Sequence, residues 1–222
     1  IPPAVRANRI SMKDNLIPLA YYALPHRVMR AILDDEHYPV RAAYVQAANT
    51  LTHYTNARAT YAALLKLDCL VVADIFMTST AALADMVLPA ATYLEYDSVE
   101  QPWTYPIASV QQKVAQVGES WPDGKILNEL TKKLGFHDFA WADMQAPLDR
   151  ILQAAGISFE EFRKIGYLVG HKVYRHYEKN GFETPSKKVQ LYSNQLKEWG
   201  FDALPEYVEP PETPVSEPAY AT

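Results

Sequence analysis

The 222-residue sequence predicts an α/β fold of three layers: a mostly parallel sheet flanked by helices, followed by an extended C-terminal arm. Three observations carry this. Strand-like and helix-like segments alternate from about residue 38 to residue 135, the pattern of a parallel sheet covered by crossover helices. The strand candidate "DCLVVADIF" is a near-continuous apolar run, as expected of a strand buried on both faces. The chain closes on "LPEYVEPPETPVSEPAYAT", whose prolines favour an extended linker or arm over a packed element.

The elements follow in order. The residues through Pro25 have no regular pattern. "HRVMRAILDDE" then places Val28, Met29, Ile32 and Leu33 at helical spacing. "YPVRAAYVQAAN" reads as a strand running into a turn at Asn49-Thr50, and "ARATYAALLKL" as a helix with Tyr61, Leu64 and Leu65 on one face. "DCLVVADIF" is the next strand, "TSTAALAD" a short helix capped by Thr78 or Ser79, and "MVLPAATYLEYD" a strand leading out to an edge or loop. "SVQQKVAQV" alternates weakly and predicts a strand. In "PDGKILNELTKKLGF" the residues Ile126, Leu127, Leu130 and Leu134 share a helical face that Gly135 terminates. Farther on, "SFEEFRKIG" has Ser158 and Glu161 at capping-box spacing, and "KVQLYSNQLKEWGF" predicts a strand followed by a helical turn.

Composition removes several classes of function. The net charge is −5 with no basic stripe, which argues against nucleic-acid binding. No apolar span is long enough to suggest a direct membrane crossing. A single cysteine, Cys69, cannot form an intramolecular disulfide or a cysteine-held cluster, and its place in an apolar run suggests a small core residue. The six histidines have no metal-ligand spacing, and no glycine-rich phosphate loop or nucleophile elbow occurs. Neither a catalytic set nor a metal site emerges.

What remains is the strand ends. In an open parallel sheet, ligands bind beyond the carboxyl ends of the strands. Two candidate strands end at Asn49 and at Ala73-Asp74. A carboxylate there suits a ligand with two adjacent donors, such as the edge of guanine or a ribose diol. On spacing alone, Asp74 reads first as a turn cap holding the next backbone N–H groups, and Asn49 more strongly still as a turn former. Asp85, near the end of a short helix, reads as a structural acid that accepts hydrogen bonds from the following loop.

Over residues 40–134 the text resembles a known family. "VVADIFMTSTAALADMVLPAATYLEYD" is similar to the signature of the molybdopterin oxidoreductases of the dimethyl-sulfoxide-reductase type. "YPVRAAYVQAANT" before it, "VGESWPDGKILNELTKKLG" after it, "TPSKKVQLYS" beyond and the proline-rich run fit in order. The resemblance implies a Rossmann-like third domain passing into a fourth, with residues 1–155 the partial guanine-dinucleotide-binding domain and 156–222 a connecting segment. It implies molybdenum bis(molybdopterin guanine dinucleotide) as cofactor, with Asn49, Ala73, Asp74, Tyr96 and Asp123 as contacts of one guanine dinucleotide. It moves Asp74 from turn cap toward cofactor contact. It implies two-electron redox or oxygen-atom transfer by the parent subunit, with a hydratase or transhydroxylase, or a molybdenum-free respiratory electron-transfer subunit of the same fold, as alternatives. A [4Fe-4S] cluster is expected outside this segment. The expected partners are the remaining domains of the parent chain and an iron–sulfur electron-transfer subunit. Two departures stand out: the loop over residues 96–109 has its own text, and Lys187 replaces the usual Gly, which questions the turn there. By itself the segment is expected to be inactive and to expose faces that missing domains cover.

Overall fold

The computed structural model describes residues 10, 23–36, 38–102, 105–210, 213, 215 and 216. The expected irregular start and most of the tail beyond residue 210 lie outside the described residues. The chain divides into a unit of residues 24–172 and a second of residues 1–23 with 173–222.

The larger unit opens with helix α1 (Pro25–Leu33), whose proline takes the first helical turn, where its missing N–H costs nothing. Strand β1 (Ala42–Gln46), helix α2 (Thr50–His53), helix α3 (Ala57–Lys66), strand β2 (Cys69–Asp74), a short 3-10 turn (Ala81–Leu83) and strand β3 (Met86–Pro89) follow. The strands form one parallel sheet in the order β1-β2-β3. Its register runs from Ala42 opposite Cys69 to Gln46 opposite Ala73, then from Val71 opposite Met86 to Asp74 opposite Pro89. All three strands therefore end at the same edge.

One face of this sheet is closed. Leu64 of α3, Leu70 and Val72 of β2 and Ala81 form a buried cluster, joined by Ala43, Val45 and Val87. Each buried leucine or valine contributes about 1.5–3 kcal/mol. Asp85 ties the sheet's entry: Leu70 N–H donates to its Oδ2 at 2.7 Å, and its own N–H returns to Leu70 O at 2.9 Å. It is the expected structural acid, but its partner is the preceding strand, not the following loop. Thr78 caps the 3-10 turn, its Oγ1 accepting from Ala81 N–H at 3.1 Å.

Two faces differ from the sequence expectation. Helix α3 buries Thr60, Ala63 and Leu64, while Tyr61 and Leu65 are exposed; small residues let α3 lie close to α1 and the sheet. Cys69 is exposed rather than in the core, because it starts β2 on the less covered face.

Strands β4 (Ser98–Glu100), β5 (Ile107–Gln111) and, later, β6 (Tyr167–Val169) make a separate antiparallel sheet in that order. Of these the sequence pattern points only to β5, and the strand it predicts over 109–117 ends at Gln111. Between β5 and β6 lie helix α4 (Asp123–Lys133), a 3-10 turn (His137–Phe139), helix α5 (Ala146–Leu152), another 3-10 turn (Gln153–Ala155) and helix α6 (Phe159–Ile165). Val99, Leu152, Phe159 and Phe162 form the core of this sub-structure. The capping box at the start of α6 is present: Ser158 Oγ accepts from Glu161 N–H, and the Glu161 carboxylate accepts from Ser158 N–H. In α4 the buried side is Ile126 and Asn128, and Leu127, Leu130 and Leu134 are exposed. Asn128 is buried because its side-chain amide closes two hydrogen bonds with the Trp141 backbone, at 3.0 and 2.7 Å.

In the second unit, helices α7 (His176–Asn180) and α8 (Asn194–Glu198) are short, and the strand expected over residues 188–191 is irregular. A lone strand has no backbone partners, and none is offered among the described residues. Lys187 adopts φ +57°, the left-handed conformation a glycine favours, so the turn persists without it.

Candidate functional site

The carboxyl edge of the parallel sheet is extended by one further contact. Trp121 N–H donates to Pro89 O at 3.0 Å and Ala91 N–H to Trp121 O at 2.9 Å, so residues around Trp121 run beside the end of β3. The Lys125 ammonium stands 3.9 Å over the Trp121 ring and helps hold the first turn of α4 there. The start of α4 is thereby delivered to the strand ends.

This brings Asp74 and Asp123 into one cavity of about 270 Å3, lined also by Ala47, Ile75, Ala90, Thr92 and Tyr93. The two acids are in different states. Asp74 Oδ1 accepts from Phe76 N–H at 3.0 Å, the turn-capping role that its sequence context allowed, and one further oxygen remains. Asp123 is the first residue of α4, whose N-cap, Pro122, supplies no side-chain hydrogen bond. Its Oδ1 is buried and has no partner. Burial pushes its carboxyl above the usual value, the polar Gln46 side chain opposes that rise, and the neighbouring Asp74 charge adds to it. A buried carboxylate oxygen without a donor is costly by itself and invites a ligand that brings one.

Asn49 is not among the residues lining this cavity and has a structural duty. Its Oδ1 accepts from Thr80 Oγ1 at 2.7 Å, Ser79 Oγ at 3.0 Å and Thr80 N–H at 3.3 Å. These bonds tie the end of β1 to the 78–83 segment and occupy the amide oxygen. Ala73 has no exposed surface; its carbonyl accepts from Ala47 N–H at 3.0 Å. Tyr96 is apart from Asp74. It lines a neighbouring cavity of about 690 Å3 with Glu95, Lys113, Trp121 and Asp123, so Asp123 borders both spaces. In that second space the buried Glu95 accepts from Ser120 Oγ at 2.6 Å, Val117 N–H at 2.8 Å and Thr92 N–H at 2.9 Å. These bonds, the Ser120 hydroxyl foremost, hold its carboxyl down at about 2.

The donor set suits a particular chemistry. Two carboxylates in one small cavity repel phosphate and accept N–H or O–H donors. Among the described residues, no group of three or more His, Cys, Asp or Glu side chains could hold a metal ion.

Residues 25–133 match the family described as Molybdopterin oxidoreductase. The chain belongs to that family. Acetylene hydratase of Syntrophotalea acetylenica is 34% identical over 206 residues, which are 91% of this chain and 28% of that protein. The solved acetylene hydratase from Pelobacter acetylenicus superposes with a TM-score of 0.82 at 33% identity, over 91% of this chain and 28% of that one. The molybdopterin-containing subunit of thiosulfate reductase from Salmonella typhimurium is 28% identical over 80% of this chain and 28% of its own length. The chain thus spans little more than a quarter of these relatives. Its α/β architecture is that of the acetylene hydratase structure.

Sequence reasoning missed Tyr44, Gln46 and Ala47. Tyr44 and Gln46 sit inside a strand pattern and carry no motif. Ala47 has φ +50°, a conformation that an alanine does not advertise in sequence.

Proposed function

We propose that this chain is the part of a molybdenum enzyme's catalytic subunit that holds the nucleotide end of one molybdopterin guanine dinucleotide. The observation that carries the reading is the buried, unpartnered Oδ1 of Asp123 in the cavity it shares with Asp74. A guanine edge offers adjacent N–H donors and a ribose offers adjacent hydroxyls; both suit these acceptors, while two acids disfavour the pyrophosphate. Asp123 and Asp74 would accept from the nucleoside, the free N–H2 of Asn49 would donate, and Tyr96 would flank the adjoining space. Ala73 would serve from beneath, keeping Ala47 in place through its carbonyl. When bound, the molybdenum–pterin group supplies two-electron redox or oxygen-atom-transfer chemistry, and the protein supplies orientation. The remaining domains of the parent chain, a [4Fe-4S] cluster outside this segment and an iron–sulfur electron-transfer subunit complete this reading.

A second reading is favoured by the acetylene hydratase likeness over 91% of the chain: the parent adds water to an unsaturated substrate on the same cofactor. Turnover of acetylene without an external electron acceptor selects it, and acceptor-dependent turnover of another substrate selects the first.

The binding claim is tested in the full-length subunit with Asp123→Asn and Asp74→Ala. Molybdenum and acid-released guanine nucleotide are measured per polypeptide. Both should fall severalfold; full occupancy in both variants would overturn the reading.

A further inference from the structure

Glu95 is buried, and four neutral donors satisfy its carboxylate. The two oxygens serve different segments. Oε2 accepts from Thr92 N–H at 2.9 Å and from Thr92 Oγ1 at 3.0 Å, while Glu95 N–H returns to Thr92 O at 2.9 Å and closes the 92–95 turn. Oε1 accepts from Val117 N–H at 2.8 Å and from Ser120 Oγ at 2.6 Å. The carboxylate thus clips together two stretches that both lead to the cavity of Asp74 and Asp123. Thr92 lines that cavity. Ser120 is joined to Asp123 by a short, stiff connector. Trp121 is hydrogen-bonded on both sides, its N–H donating to Pro89 O and its carbonyl accepting from Ala91 N–H. Pro122, at φ −57° and ψ 142°, has its φ fixed by the ring. With so little slack, the place where Ser120 is anchored sets where the first residue of α4 stands.

We propose that Glu95 is a positioning residue: by clipping the Val117–Ser120 turn to Thr92, it places Asp123 so that Oδ1 meets the N–H or O–H donors of the bound nucleotide. The proposal rests on the reading of Asp123 as a nucleotide-holding acid. The clip requires a carboxylate, because each of its oxygens accepts from two donors at once. An amide offers one oxygen only. In either orientation its N–H2 group would face a backbone N–H, that of Val117 or that of Thr92, and one half of the clip would open.

The test uses the full-length subunit carrying Glu95→Gln, Ser120→Ala, Ser120→Thr, Asp123→Asn, Glu95→Gln with Asp123→Asn, and Ser158→Ala as a stability control. Ser158 caps α6 and lines neither cavity that Asp123 borders, so its loss lowers stability without touching the clip. The readouts are acid-released guanine nucleotide per polypeptide and the melting temperature of nucleotide-free protein. Glu95→Gln should lower occupancy roughly tenfold, the size expected for one hydrogen bond to a charged group. Ser120→Ala removes one donor and leaves Val117 N–H, so it should lower occupancy by a factor of about two to three. Ser120→Thr keeps the hydroxyl and should restore it. Ser158→Ala should melt lower yet keep full occupancy, which a merely structural role for Glu95 would not allow Glu95→Gln to differ from. The double variant should match Asp123→Asn alone, since Glu95 acts through Asp123. Full occupancy in Glu95→Gln and Ser120→Ala, with loss in Asp123→Asn, overturns this proposal alone. So does a loss in Ser158→Ala as large as that in Glu95→Gln, or a double variant well below Asp123→Asn. Full occupancy in Asp123→Asn overturns the underlying reading with it. If Glu95→Gln does not fold, Ser120→Ala, which removes one oxygen atom, carries the test, and unchanged occupancy there is decisive against.

Discussion

Asp74 and Asp123 reach one cavity from separate elements, and only Asp74 is engaged by the backbone: Phe76 N–H satisfies one of its oxygens at 3.0 Å, while Asp123 Oδ1 is buried without a donor. An acid that holds the fold together is satisfied by the fold. One left open at the carboxyl edge of a parallel sheet is positioned for a ligand.

The first prediction follows from that contrast. Burial raises the Asp123 carboxyl, so folding of the nucleotide-free chain is favoured with this group protonated and is penalised as pH rises through the folded value. Asp123→Asn should therefore raise the melting temperature of nucleotide-free protein at pH 7. The advantage should shrink toward zero as pH falls into the ordinary carboxylate range. The same variant should lose bound nucleotide. A drop in melting temperature at pH 7 would identify Asp123 as a fold-holding acid instead.

Glu95 has the opposite sign. Its carboxyl lies at about 2, held there by Ser120, Thr92 and Val117. Its stabilisation is complete above the unfolded carboxylate range and is lost as pH falls toward 2. Unfolding of Glu95→Gln should be less pH-dependent between roughly 4.5 and 2 than that of wild type, and Glu95→Gln should melt lower at pH 7. Urea titrations across this range make the comparison.

Ala73 tests the packing at the carboxyl end of β2. It is fully buried and in register with Gln46 and Leu88. Ala73→Leu should cost about 1–3 kcal/mol through overpacking and should also lower nucleotide content, whereas Ala73→Gly should affect stability with little change in occupancy. Chemical denaturation and nucleotide analysis of the two variants separate these outcomes.

Ala47 turns the chain out of β1 at φ +50° while its N–H is held by Ala73 O. Ala47→Gly should be neutral or stabilise by up to about 1 kcal/mol, and Ala47→Val should destabilise by about 1–3 kcal/mol because a β-branched residue resists that conformation. Equilibrium unfolding decides, and equal stability of the two variants would contradict the geometry.

The isolated segment should self-associate. Cys69, Met86, Trp121 and Leu130 line an apolar groove of about 820 Å3 between the sheet and α4, and Met86 is more than half exposed. Light scattering of the 222-residue chain should report oligomers, and a thiol reagent should modify Cys69 without denaturant. A monodisperse monomer with an unreactive Cys69 would contradict the exposed face.

The sequence by itself determined the α/β class, the apolar strand β2, the amphipathic α4 and the capping box at Ser158, because each depends on residues near in sequence: periodicity, a cap, a terminating glycine. It also located Asp74 at a strand end, where sheet architecture puts ligands. It misjudged which helix residues are buried, since Tyr61 and Leu65 share a helical stripe yet α3 packs on Thr60, Ala63 and Leu64. Helix burial is settled by the neighbouring element, whose position local spacing does not encode. It passed over β4 and β6, three residues each, whose strand character comes from pairing with β5 and not from their own pattern. Only the tertiary structure decided that Asp123 stands beside Asp74 and that its Oδ1 goes unpaired. Those relations join β2 and α4 across a long stretch of chain. They arise because the Trp121 segment hydrogen-bonds along the end of β3 and carries the first turn of α4 to the strand ends.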